Sequence, residues 1–87
     1  MRPEELMKLL RRRPFVPLRI SMTDGHAYEI RHPDAISVSR SHAMVVLQQD
    51  PETGVIDRYE YLGLIHIVRV EELPPVATAE TPSGSPA

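Results

Sequence analysis

Thirteen residues constrain this chain more than any others. From Leu18 to Ile30 apolar and polar side chains alternate on either side of Thr23-Asp24-Gly25. Leu18, Ile20 and Met22 share one face of an extended strand, and Arg19, Ser21 and Thr23 share the other. A two-residue turn at Asp24-Gly25 would pair Ile20 with Glu29 and Met22 with Ala27, setting core residues beside exposed ones. A three-residue loop, Thr23 to Gly25, pairs Met22 with His26, Ile20 with Tyr28 and Leu18 with Ile30. Gly25 then supplies the left-handed residue of a turn with a bulge. A one-residue slip would flip every side chain, so the second register is the expected one.

The rest of the chain extends this β pattern. Residues 3–13 read as a helix, with Pro3 in the first turn, Glu4 and Glu5 at the positive end of the macrodipole and Arg11 to Arg13 at the negative end. Leu6, Leu9 and Leu10 form its apolar stripe, and Pro14 and Pro17 end it. After the hairpin, His32-Pro33-Asp34 breaks the second strand, with Asp34 expected to cap the turn. A third strand follows at 35–40, with Ile36 and Val38 inward. Residues 43–47 are apolar on both faces, Asp50 to Gly54 form a turn, and Asp57 to Tyr61 prolong the hairpin. Leu62 to Leu64 make an irregular corner before a last strand at 65–71. One helix followed by about five strongly bent antiparallel strands implies a mainly β fold, a small Sm-like or SH3-like barrel capped by the helix. Residues 1–73 are one domain, and the Pro-rich stretch 74–87 is an expected disordered tail.

The last strand carries the strongest functional signal. Ile65 and Ile67 fall on one face, and Leu64, Val68 and Val70 on the other, so both faces are apolar. Such a strand hides both sides within its chain or pairs with another subunit. At 87 residues only about 60% of the unfolded surface can be buried. Self-association is therefore expected, with Leu64, Ile65, Ile67, Val68 and Val70 as interface.

Charge is unevenly distributed. The first twenty residues hold six cations against two carboxylates, and the remainder holds four against ten, for a net charge of -2. A basic end on an acidic body favours head-to-tail association or an acidic protein partner. Arg11, Arg12 and Arg13, with His66, are candidate contacts to that partner or to RNA. The simpler account of the three arginines is a favourable helix C-terminus.

Several chemistries find no support. No Cys is present, and no His pair has the i, i+2 spacing for chelation on a strand, although a fold could bring His32 and His66 together. Ser21, Ser37, Ser39 and Ser41 alternate as surface strand residues, no G-x-G loop occurs, and no pair of groups has reason for a shifted pKa. No enzyme activity and no cofactor are expected. The opening Met1-Arg2-Pro3-Glu4-Glu5 is not that of a signal peptide, and no stretch approaches the roughly 18 apolar residues of a membrane span. A cytoplasmic protein without membrane contact is expected.

Arg13-Pro14-Phe15-Val16-Pro17-Leu18-Arg19-Ile20, Thr23-Asp24-Gly25, Arg31-His32-Pro33-Asp34 and Leu64 to Glu71 resemble a group of short bacterial proteins. Their pattern runs R-x-P-F-x-P-F-R, T-D-G, H-P-D or H-P-E, then L-L-H-I-x-R-I-E, and Leu18 stands where it often has Phe. That group has no established activity, so the likeness implies a fold and little chemistry. The chain also resembles Sm-like barrels, in its N-terminal helix, T-D-G hairpin and I-x-x-I last strand. That likeness implies rings built by edge pairing of the last strand with the next subunit, and RNA binding. The chain lacks the Gly of their second strand and the Asn of their base-binding loop.

Overall fold

The computed structural model describes residues 1–74, so nearly all of the expected tail, 74–87, lies outside the described residues. Helix α1 (Pro3–Leu10) leads to strands β1 (Leu18–Met22), β2 (Ala27–Ile30), β3 (Ile36–Val38), β4 (His42–Gln49), β5 (Ile56–Gly63) and β6 (Ile67–Glu72). Short 3₁₀ turns at Pro33–Ala35 and Leu64–His66 join β2 to β3 and β5 to β6. The fold is mainly β, with six strands because the segment after the Asp50 turn forms a full eight-residue strand.

The strands form two three-stranded antiparallel sheets, ordered β2-β1-β6 and β3-β4-β5. No strand belongs to both, so hydrogen bonding does not close a barrel among the described residues. The first hairpin has the three-residue loop: Leu18 pairs with Ile30, Ile20 with Tyr28, and the Met22 amide donates to the His26 carbonyl at 2.8 Å. Gly25 takes φ +92° there, a conformation costly for any residue with a Cβ. At the far end of β4, the Asp50 carboxylate accepts the Glu52 and Thr53 amides at 2.8 and 3.3 Å, and Gly54 turns the chain at φ +78°.

One core lies between the sheets and α1. Leu6 and Leu10 come from the helix, Leu18, Ile20, Met22, Ile30 and Ile67 from one sheet, and Ile36, Ala43, Val45 and Leu62 from the other, with Leu64 from the turn. Phe15 and Tyr28 pack partly buried against it. The helix is shorter than its sequence suggests, ending at Leu10 with Arg11 as C-cap. A residue before proline avoids the helical region, which disfavours helix at Arg13 ahead of Pro14.

The C-terminal segment departs most from expectation. Leu64 to His66 follow a three-residue period, so Leu64 and Ile67 both point inward while Ile65 and His66 turn out. A bulge then sets Met22 opposite Ile67 but Ser21 opposite Arg69, leaving Val68 as the extra, outward residue. Ile65 is 82% exposed and Val68 63%, whereas Leu64 and Ile67 are buried and Val70 is half-buried. Burial of both faces within the chain is therefore overturned: one side of this segment lies bare.

Candidate interaction surfaces

Three features of the surface bring chemistry-bearing side chains together. The first is the bare side of the C-terminal segment. Among the described residues β6 is an edge strand with no partner beyond it, and Val68 lies beside Met1 and Leu9 in a shallow groove of about 320 Å³ between α1 and β6. Ile65 borders a neighbouring hollow that also includes Met1 and His66. The assembly residues named from sequence thus divide: Ile65 and Val68 face solvent, Val70 lies at the margin, and Leu64 and Ile67 belong to the core.

The second is the basic N-terminal end, where the three arginines do separate jobs. Arg12 reaches Glu72 on β6, Nη2 to Oε2 at 2.7 Å. Arg13 donates from Nη1 to the Leu10 and Arg12 carbonyls at 3.1 and 2.8 Å, satisfying acceptors at the helix end. Only the Arg11 side chain is left to a groove of about 540 Å³ between α1 and β3, whose floor is Pro3, Met7 and Val38. Lys8 and Arg40 join Arg11 on its rim, and among the described residues none of the three has an ion-pair partner. Arg40 could not be found from sequence, since it enters the site from the β3–β4 turn, distant in the chain from Lys8 and Arg11.

The third is a cleft of about 530 Å³ where the open ends of the two sheets meet. Asp24 accepts the His26 backbone amide and contacts the His26 ring, both at 3.0 Å, and the amide bond is the larger reason its carboxyl sits below the ordinary value. Across the cleft the Tyr28 hydroxyl on β2 donates to Glu60 on β5, tying the sheets together. That bond, with some burial and the nearby carboxylate charge, pushes the phenol up to about 12. His66 lines this cleft with His26, not with His32. His32 instead uses Nδ1 to accept the Asp34 amide at 3.2 Å, so the His rather than the Asp caps that turn.

Hydroxyl chemistry is sparse. The Ser41 hydroxyl and His42 Nδ1 are 2.8 Å apart, but the pair is exposed on adjacent residues, and among the described residues no carboxylate orients the ring. On the outer face of the second sheet, Tyr59 and Tyr61 meet edge to face with centroids 5.6 Å apart, beside the half-buried Val46 and Met44. No helix among the described residues is long and apolar enough to cross a membrane. No protein-family model matches the chain, and neither a curated protein nor a solved structure is significantly similar to it.

Proposed function

We propose that the chain is a non-enzymatic, cytoplasmic β module that works through protein contacts and assembles with copies of itself. The supporting observation is the pairing of an unpartnered β6 edge with two large apolar side chains that the protomer leaves in water. A free edge strand is a template for another strand, and apolar side chains beside it supply the driving force for covering it. In this reading the two sheets are the halves of an opened small barrel of the Sm or SH3 kind, bent at the two 3₁₀ turns, and assembly covers the seam's outer edge.

The geometry favours self-association over an RNA-binding ring. Two of the three arginines are spent on Glu72 and on helix carbonyls. The groove holding the third has no aromatic side chain on which a base could stack.

Size-exclusion chromatography with light scattering tests the proposal. The expected result is a mass that is a multiple of 9.8 kDa and falls on dilution. A 9.8 kDa particle at every concentration would refute it.

A further inference from the structure

The charge asymmetry of the sequence becomes two separate surfaces in the fold. One is the groove between α1 and β3, with an apolar floor of Pro3, Met7 and Val38 and a rim of Lys8, Arg11 and Arg40. Glu4 also lines it, but leans 4.0 Å from Arg2. The other is the tip of the β4–β5 hairpin, which carries Asp50, Glu52 and Asp57 against the single cation Arg58. Glu52 and Asp57 are exposed, and the Asp50 carboxyl accepts the Glu52 and Thr53 amides, which hold it below its ordinary value. The same tip exposes Val55 at 58%, along with Ile56. An acidic loop with an apolar side chain at its end is the chemical complement of a basic groove with an apolar floor.

The two surfaces of one protomer cannot meet. β4 runs eight residues from His42, next to the groove, to Gln49 at the tip. Seven steps at about 3.3 Å each separate them by roughly 23 Å of extended backbone. Any contact between them joins two copies.

We propose that the α1–β3 groove receives the β4–β5 tip of a second copy, with Val55 on the apolar floor and Glu52 and Asp57 against Lys8, Arg11 and Arg40. The inference rests on the self-association reading and names a contact within it. The interface is heterologous, so each copy both gives a tip and takes one, and successive contacts either close a ring or extend a filament. Nucleic acid suits the groove less well, because none of its lining side chains is an aromatic ring on which a base could stack.

A charge exchange in the full-length chain tests this. One variant carries Lys8→Glu and Arg11→Glu; the other carries Glu52→Lys and Asp57→Lys. A third, Arg40→Glu, alters the groove without touching the helix. All these residues are exposed, and circular dichroism confirms folding. Sedimentation velocity should show each variant alone associating at least about tenfold more weakly than the parent, and an equimolar mixture of the first two recovering a complex. Salt at about 0.5 M should weaken the parent assembly, because the contact relies on exposed charges.

Three results overturn the proposal. Groove variants that associate as the parent does show the contact to be absent; loss in the groove variants without loss in the tip variant gives the groove to another acidic segment; and groove-dependent binding of a labelled oligouridylate, with self-association unchanged, gives it to RNA. The two readings also separate. Dissociation by Val68→Asp with a silent charge exchange refutes this contact alone, whereas a working exchange with a silent Val68→Asp refutes the β6 edge alone.

Discussion

Replacing Val68 by Asp separates a side chain that stabilises the protomer from one that stabilises an assembly. In the protomer Val68 is 63% exposed as the outward residue of a bulge. Such a surface substitution should change folding free energy by no more than about 0.5 kcal/mol. Full burial of a valine side chain stabilises by roughly 1.5–3 kcal/mol, so covering the exposed 63% contributes about 1–2 kcal/mol per contact. Loss of that alone weakens association about five- to thirty-fold, and the cost of desolvating a carboxylate adds to it. Sedimentation equilibrium over a concentration series measures the association, and urea unfolding of dilute protein measures the folding stability. The expected outcome is a lower assembled mass with an unchanged urea midpoint. Unchanged mass would remove the β6 edge from the interface, and a large fall in the midpoint would show that Val68 is packed inside the protomer after all.

Other positions test the fold and its electrostatics. Leu6 is wholly buried between the helix and the sheets, so Leu6→Ala should lower stability by about 3 kcal/mol in urea titrations; a loss under about 1 kcal/mol would mean that α1 is not docked. Glu29 has its carboxyl held below the ordinary 4.5, chiefly by its hydrogen bond to Arg19 at 2.9 Å and further by Arg31. A depressed carboxylate contributes above its unfolded value and stops contributing as pH falls through the folded one, so stability should decline below about pH 4.5, and less steeply in Glu29→Gln. Tyr28 has the opposite sign: its contribution is complete below pH 10 and is lost as pH rises through about 12. Ultraviolet titration should therefore show one phenol ionising late, and Glu60→Gln should bring it earlier.

Local rules reached the first half of the chain and failed where side-chain period changes. The hairpin register was legible because apolar side chains at Leu18, Ile20 and Ile30 tolerate only one alignment around Gly25. The Asp50 turn was legible because Asp, Pro and Gly each act on their own backbone. Strict alternation misassigned the last strand because neither a 3₁₀ turn nor a bulge has a distinctive sequence signature. Together they place Leu64, Ile67 and Val70 toward the core at intervals of three. The eight-residue β5 was only half visible, since from Ile56 to Tyr61 it is exposed throughout and so lacks alternation in burial. The arginine run read as one basic element because Arg13 turns back on local carbonyls while the other two differ only in distant neighbours, Glu72 beside Arg12 and Arg40 beside Arg11, which meet them only in the fold.

The edges of the two sheets are not equally open to another chain, and their differences narrow where assembly begins. β3 is three residues long and follows directly on the Pro33 turn, so it offers little backbone to pair. On β2, Glu29 is held between Arg19 and Arg31, which keeps charge along that edge. β5 carries Asp57, Arg58 and Glu60 in its exposed stretch. β6 is divided: its C-terminal half has Arg69 beside Glu71 and Glu72 bound to Arg12, while the stretch from Ile65 to Val68 has no acidic or arginine side chain. Charged residues are the usual protection of an edge, so the unprotected part is the start of β6 and the turn before it. A substitution in the protected half, Arg69→Ser, should then leave the assembled mass unchanged, where Ile65→Asp lowers it as Val68→Asp does. Equal loss of mass from Arg69→Ser and Ile65→Asp would mean that the whole strand pairs, and that its exposed apolar end has no special part in the contact.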